Sequence, residues 1–200
     1  MFMGRVIVKT VVLTLMSFFA VFFLGYGSFA VSSPKSLAKA WSNMGNYDLS
    51  IKYYEKQYEK SENISDLTVL CDKLNEKEDS ARSVKYLELL TQDEGFAAFC
   101  TEQDVSGGYD FTAYEFYYGK YASAICFNSG INDAVSVAKK SVQSGGYTKY
   151  NAFYILLGVE TLTAADGAVI KDVITQLEPG LSTSEQAFAS RDVAIADSIK

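Results

Sequence analysis

The feature that constrains this chain most is self-similarity at a fixed period. "SIKYYEK" starts at Ser50, and "SVKYLEL" starts 33 residues later, at Ser83. Repeats of this length are single supersecondary units, and one unit cannot bury its apolar face alone, so successive units have to stack. In the first copy Gly45 marks a turn, and Tyr47, Ser50 and Tyr54 follow at helical spacing. Lys52, Glu55, Lys56 and Glu59 take the remaining positions and keep the outer face wet. The spacing predicts a helix with Tyr47 and Tyr54 packed inward and Tyr53 partly solvated. Tyr53, Tyr54 and Tyr58 would also suit an aromatic cage. Tyrosine has an apolar body and a polar tip, however, which fits a half-buried helix surface, so packing is the expectation.

Before Ser83 comes "ISDLTVLCDKLNEKED", in which Leu67, Leu70, Cys71 and Leu74 form an apolar stripe with a small residue inside it. A helix needs such a surface to approach a neighbour closely. Tyr118, Tyr121, Ala122 and Ile125 repeat the stripe, with Ala134, Ala138 and Ser141 at the second-helix positions that follow. Tyr154, Leu157, Gly158 and Thr161 come next, followed by Ile170, Ile174 and Leu177. Pro34, Leu37, Ala38 and Trp41 precede the first copy. The small-residue column Ala38, Cys71, Ala122 and Gly158 has spacings of 33, 51 and 36. The long spacing implies an insert of roughly 17 residues beyond a ~34-residue unit.

With these positions in place the chain resembles the tetratricopeptide-repeat (TPR) family. That family's unit is a ~34-residue helix–turn–helix with aromatic, Leu-Gly and Tyr positions in its first helix, Ala and Phe in its second and Pro near its end. "GNYDLSIKYYEK" carries the likeness best, and "LEPG" at 177–180 supplies one terminal proline. Serine stands in place of alanine at Ser50 and Ser83, and units one to three lack the proline. The resemblance covers residues 33–180. It implies an all-α fold, an α-solenoid of about four TPR-like repeats with one concave and one convex face.

"SGGYDFTAYEFYYGKY" (106–121) and "SGGYTKYNAFYILLGVE" (144–160) are a second internal echo, each a Gly-Gly turn before an aromatic-rich helix. These glycines lack the spacing of a nucleotide-binding loop and read as punctuation. The helix over 111–128 is expected to be long. Residues 181–200 open with Ser/Thr caps and place Phe188, Ile195 and Ile199 on one face. That pattern predicts a C-terminal capping helix, apolar inward and polar outward.

Thr10 to Ser33 contains no charged residue in 24 positions, enough to cross a bilayer as a helix of ~20 residues. Arg5 and Lys9 precede it without any acid, which places the short N-terminus in the cytoplasm and the body outside. Residues 1–32 therefore read either as an uncleaved signal-anchor or as a signal peptide cleaved after Ala30 at Ser28-Phe29-Ala30. After residue 32 the chain holds 16 basic and 24 acidic residues, a balance of −8. Such a body is a poor nucleic-acid binder, because neutralising phosphates needs a basic face.

No histidine is present, which removes the commonest general base and the commonest metal ligand together. No catalytic residue, metal site or cofactor is expected. Cys71, Cys100 and Cys126 are odd in number and contain no CxxC, and no histidine is available to generate a thiolate. A Cys100–Cys126 disulfide is permitted by the compartment alone. "NEKEDS" (75–80) reads as a solvated inter-helix turn rather than a cation loop. "ENIS" (62–65) holds an Asn-x-Ser acceptor, relevant only in a host that glycosylates exported proteins.

The resemblance implies a binding groove on the concave face, lined by the first helices. Its register places Ser65, Thr68, Asp72, Asn75 and Glu76 there from unit two. Unit three contributes Phe116, Ser123 and Phe127, and unit four Ala152, Ile155, Val159 and Leu162. Such a groove is acidic at one end and apolar at the other, suited to a basic, amphipathic peptide. The same apolar residues could instead pack on the C-terminal helix. The functional expectation is a membrane-anchored or exported, non-catalytic scaffold that binds a protein or peptide. The alternatives are an exported small-ligand binder or carboxylate-dependent enzyme, and a structural subunit of a membrane complex.

Overall fold

The computed structural model describes residues 33–107 and 112–200, together with Thr14, Met16, Ser17, Phe19, Ala20 and Val21. Among the described residues every regular element is helical and there is no strand. The chain divides into two compact units, residues 1–62 and 63–200.

In the first unit α1 (Pro34–Asn43) and α2 (Tyr47–Ser61) form an antiparallel hairpin. Proline at the first helical position costs no hydrogen bond, since that N–H has no partner inside a helix anyway. Gly45 turns the corner at φ +73°, a conformation open to glycine without penalty. Asn46 then caps α2 by accepting from the Leu49 N–H at 3.2 Å. Leu37, Ala38, Ser50, Ile51 and Tyr54 are buried. The Ser50 hydroxyl donates to the Ala38 carbonyl at 2.9 Å, which explains a serine where the repeat pattern expects alanine. The tyrosines differ from the expectation in two places. Tyr53 is buried, whereas Tyr47 is 41 % exposed because it begins α2 at the corner, where α1 has already ended.

The second unit runs through α3 (Ile64–Glu76), α4 (Ser80–Gln92), α5 (Phe96–Gly107) and α6 (Ala113–Ser129). It continues through α7 (Ile131–Gly145), α8 (Ala152–Leu156), α9 (Ala164–Leu177), a 3₁₀ turn at Glu178–Gly180 and α10 (Thr183–Ser198). The stretch "NEKEDS" is a tight turn, with Glu78 at φ +58° and Asp79 accepting from the Arg82 N–H at 3.0 Å. The insert is a helix of its own, α5. It docks on α6 by setting the Phe96 ring 5.3 Å from Tyr114 and 6.0 Å from Tyr118.

Helix α6 is central, packing on α4, α5, α7 and α8. A Thr112–Glu115 capping box starts it, and Tyr117, Gly119, Ala122, Ala124 and Ile125 are buried around most of its circumference. It is long, as the sequence suggests. The core of this unit is built on Ala138, Phe153, Leu156, Ile170 and Ile174, all fully buried. Helix α10 packs on α9. Its Phe188 and Ile195, and Ile199 just beyond its end, lie half-buried against that core.

The fourth repeat departs from the expectation. Its first helix, α8, spans five residues, and the chain then proceeds through i→i+3 turns such as Gly158 N–H to Ile155 O at 3.1 Å. Thr163 restarts the helix as the cap of α9. Gly158 is accordingly exposed, whereas Ala38, Cys71 and Ala122 are each buried. Among the described residues no helix is long and apolar enough to cross a membrane. The anchor or signal segment expected at 1–32 lies, six positions apart, outside the described residues.

Candidate functional site

A cavity of about 540 Å³ opens within the second unit. The end of α3 supplies Asn75, and the following turn supplies Glu78. Ser83 and Leu87 come from α4, and Lys120, Ser123 and Phe127 from α6. Ile155 from α8 and Val159, Glu160 and Thr161 from the turn beyond also line it. The lining mixes hydroxyls, an amide and charged groups with apolar side chains. Phe127 is 56 % exposed, a large ring left to solvent at the cavity.

Of the residues projected onto a groove, Asn75, Ser123, Phe127, Ile155 and Val159 come together in this cavity. Asp72, Glu76 and Phe116 do not line it. Lys120 accounts for Phe116: its ammonium lies 5.5 Å from the centre of that ring, so Phe116 stands one helical turn beyond the cavity. Glu76 is taken up by Lys73 at 2.7 Å. Thr68, Ala152 and Leu162 are buried in helix packing. Sequence reasoning missed the contribution of α4. The signal available was Ser83, a small polar residue at a packed position of a second helix.

Asp72 accepts from the Tyr117 hydroxyl at 3.4 Å. Burial pushes its carboxyl up from 3.8 to about 6; Glu76 adds to the rise, while the Tyr117 bond, Lys73 and Lys120 oppose it. The folded state therefore favours the protonated acid. Its contribution to stability is full below pH 3.8 and is lost as the pH rises through about 6. Asp72→Asn, which keeps an acceptor for Tyr117, is expected to stabilise the fold by ~1–2 kcal/mol near neutral pH. The gain should vanish in acid below the ordinary carboxylate value; urea denaturation at the two pH values measures it.

The three thiols are free. Burial raises all three, Cys100 to about 12, so none is a thiolate at neutral pH. Among the described residues no group of three His, Cys, Asp or Glu side chains could hold a metal ion.

A second polar cluster, unforeseen, is centred on the fully buried Asp192, Asn151 and Tyr147. Asp192 of α10 accepts from the Tyr147 hydroxyl at 2.9 Å and from Asn151 Nδ2 at 2.9 Å. The neighbouring Arg191 donates to its other oxygen from Nε at 2.8 Å. Asn151 Oδ1 in turn accepts from the Phe153 and Tyr154 N–H groups at 2.8 and 3.2 Å, capping α8. Glu185 accepts from the Tyr147 N–H at 2.9 Å, and the buried Glu115 accepts from the Thr148 hydroxyl. Carboxylates from α6 and α10 thus clamp the 147–151 segment, which sets the position of α8 and with it Ile155 of the cavity. No protein-family model and no curated protein matches this chain.

Proposed function

We propose that this chain is a TPR-like helical repeat protein, exported or anchored through residues 1–32, whose body binds a segment of another protein outside the cytoplasm. The observation that carries the proposal is the cavity. It is assembled from successive helical hairpins, presents hydroxyl and amide groups that can satisfy a peptide backbone, and exposes the Phe127 ring beside them. Glu78 and Glu160 outnumber Lys120 in the lining, which suits a basic or amphipathic segment. The repeat register from Ser50 to Ser83 and the paired packing of α3 with α4 and α6 with α7 support the solenoid reading. A non-catalytic role is supported by the placement of Asp72, whose shifted carboxyl faces Tyr117 and is not part of the cavity lining.

A photoreactive phenylalanine analogue at position 127, in the full chain in its native membranes, tests the proposal. A discrete protein adduct is expected there and not with the same analogue at Leu89, which is exposed but outside the cavity. Equal labelling at both positions, or none at either, rejects peptide binding in this cavity.

A further inference from the structure

Serine holds the same place in two successive repeats, and the two hydroxyls are used differently. Ser50 is fully buried and donates to the Ala38 carbonyl at 2.9 Å. Ser83 stands 33 residues later in the same register and is only 4 % exposed. Its counterpart bond would run to Cys71, which follows Ala38 in the small-residue column. That bond is not made, and among the described residues the Ser83 Oγ has no hydrogen-bond partner. Nor is the oxygen sealed inside the packing: Ser83 lines the cavity, and its hydroxyl opens on it. Polar groups buried to this degree are nearly always bonded, so a spare hydroxyl held in a cavity wall is a group that a ligand can satisfy.

The charges around the same cavity are unbalanced. Glu78 and Glu160 line it from two different turns, and neither has a cationic partner among the described residues. Lys120 lines it too, but its ammonium lies 5.5 Å from the centre of the Phe116 ring, which is outside the lining. We propose that the cavity anchors its bound segment by an arginine side chain, whose guanidinium donates to the Ser83 hydroxyl in the field of Glu78 and Glu160 and lies on the Phe127 ring. The inference rests on the reading of this cavity as a peptide site. A guanidinium is a planar fork of donors with no acceptor, so acceptors offered by several elements suit it better than they suit the point charge of an ammonium. Guanidinium groups also lie on aromatic faces, and Phe127 is the large ring left open at this cavity, 56 % exposed. Leu87, Ala124 and Val159 supply apolar wall for the hydrocarbon stem.

The probes are short capped peptides, acetyl-Gly-Arg-Gly-amide and its lysine and leucine counterparts, titrated into the full chain in zwitterionic detergent. A 4-fluorophenylalanine at position 127 reports binding by fluorine NMR. The arginine peptide is expected to shift that resonance saturably, the lysine peptide to bind more weakly and the leucine peptide to have no effect. Ser83→Ala should weaken the arginine peptide by about tenfold, the loss of one hydrogen bond to a charged group. It should do so without lowering the Tm, because the hydroxyl makes no bond within the fold. Glu160→Gln should weaken binding roughly two- to five-fold, the range of an exposed ion pair. An arginine response no stronger than the lysine or leucine response, or one unchanged by Ser83→Ala, overturns the proposal. The photoadduct at position 127 separates the anchor from the peptide site. An adduct without any response to the arginine peptide refutes the arginine anchor alone. No adduct and no response to any of the three peptides refutes the peptide site and the anchor with it.

Discussion

Replacing Asp192 with alanine is expected to lower the stability of the full chain by ~3–5 kcal/mol, the range for breaking a buried ion pair from one side. The residue is fully buried, and its two oxygens serve Tyr147, Asn151 and Arg191 at 2.9, 2.9 and 2.8 Å. Alanine would leave the buried Tyr147 hydroxyl without its acceptor, take from Asn151 Nδ2 one of its two bonds (the other, to the Thr148 carbonyl, stays) and remove the partner of the partly exposed Arg191; a buried donor left without an acceptor costs about 1–3 kcal/mol. Asp192→Asn should be milder: an amide keeps one acceptor for Tyr147 but loses the charge that Arg191 needs. Arg191 retains its ring contacts, 4.3 Å from the centre of Tyr154 and 5.7 Å from that of Phe188. Tyr147→Phe should cost least, ~1–2 kcal/mol, because a carboxylate acceptor can turn to its other partners. Burial and the Asp192 charge hold the Tyr147 phenol well above its ordinary value of 10.0, so it remains a donor throughout the neutral range. A double-mutant cycle of Asp192→Ala with Asn151→Ala should be strongly non-additive, since either change alone already unclamps α8. Denaturant titration followed by circular dichroism gives all four values; an additive cycle would mean that the carboxylate and the α8 cap act independently.

That cluster also shows where the sequence was silent. The last helix carries Phe188, Ile195 and Ile199 on one face, and Asp192 sits on the same face, four residues after the first and three before the second. A lone acid inside an apolar stripe is the mark of a buried, paired carboxylate. Its partners could not have been named, because Tyr147 and Asn151 lie more than forty residues away and meet it only through folding. The elements themselves were far more legible. Ser50 and Ser83 fixed the helical register, and Gly45 and "NEKEDS" fixed two turns, because helical spacing and turn chemistry are local properties. The fourth repeat was misjudged because helical spacing persists where the backbone is no longer α-helical. Tyr154, Leu157 and Thr161 have helical spacing, yet the chain leaves the α-helix after Leu156 in a run of tighter turns. Five of the fourteen residues lining the cavity followed from register alone. The contribution of Lys120 and α4 depends on how far α6 and α4 approach each other, which spacing along one chain does not contain.

Gly119 sets one such approach, and enlarging it is expected to be destabilising. A Cβ built there would lie 2.5 Å from Ile155 Cδ1 and 2.6 Å from Ile155 Cβ. The second distance cannot be relieved by a rotamer change, because Cβ is fixed by the backbone of α8. Alanine in a free helix would stabilise by up to ~1 kcal/mol over glycine. Here it has to push α8 away from α6, against the clamp that Asp192 and Asn151 maintain, at an overpacking cost of about 1–3 kcal/mol. Gly119→Ala should therefore be net destabilising by ~1–2 kcal/mol, and Gly119→Val, with two more carbons aimed at the same backbone, by ~3 kcal/mol or more. For a chain of this size each kcal/mol corresponds to roughly 2–4 °C in Tm. Ile155→Ala on its own removes part of the cavity wall and should cost about 1–2 kcal/mol, since the residue is only half-buried. Combined with Gly119→Ala it removes Cγ2 and Cδ1, two of the three atoms the new methyl meets, leaving only the Cβ contact. The double variant should then be more stable than the sum of the two losses predicts, by a coupling of ~0.5–1 kcal/mol. Thermal denaturation of the four proteins measures that coupling. A Gly119→Ala variant as stable as the parent would show that α6 and α8 can separate freely, and the wall of the cavity would then be a soft surface rather than a fixed one.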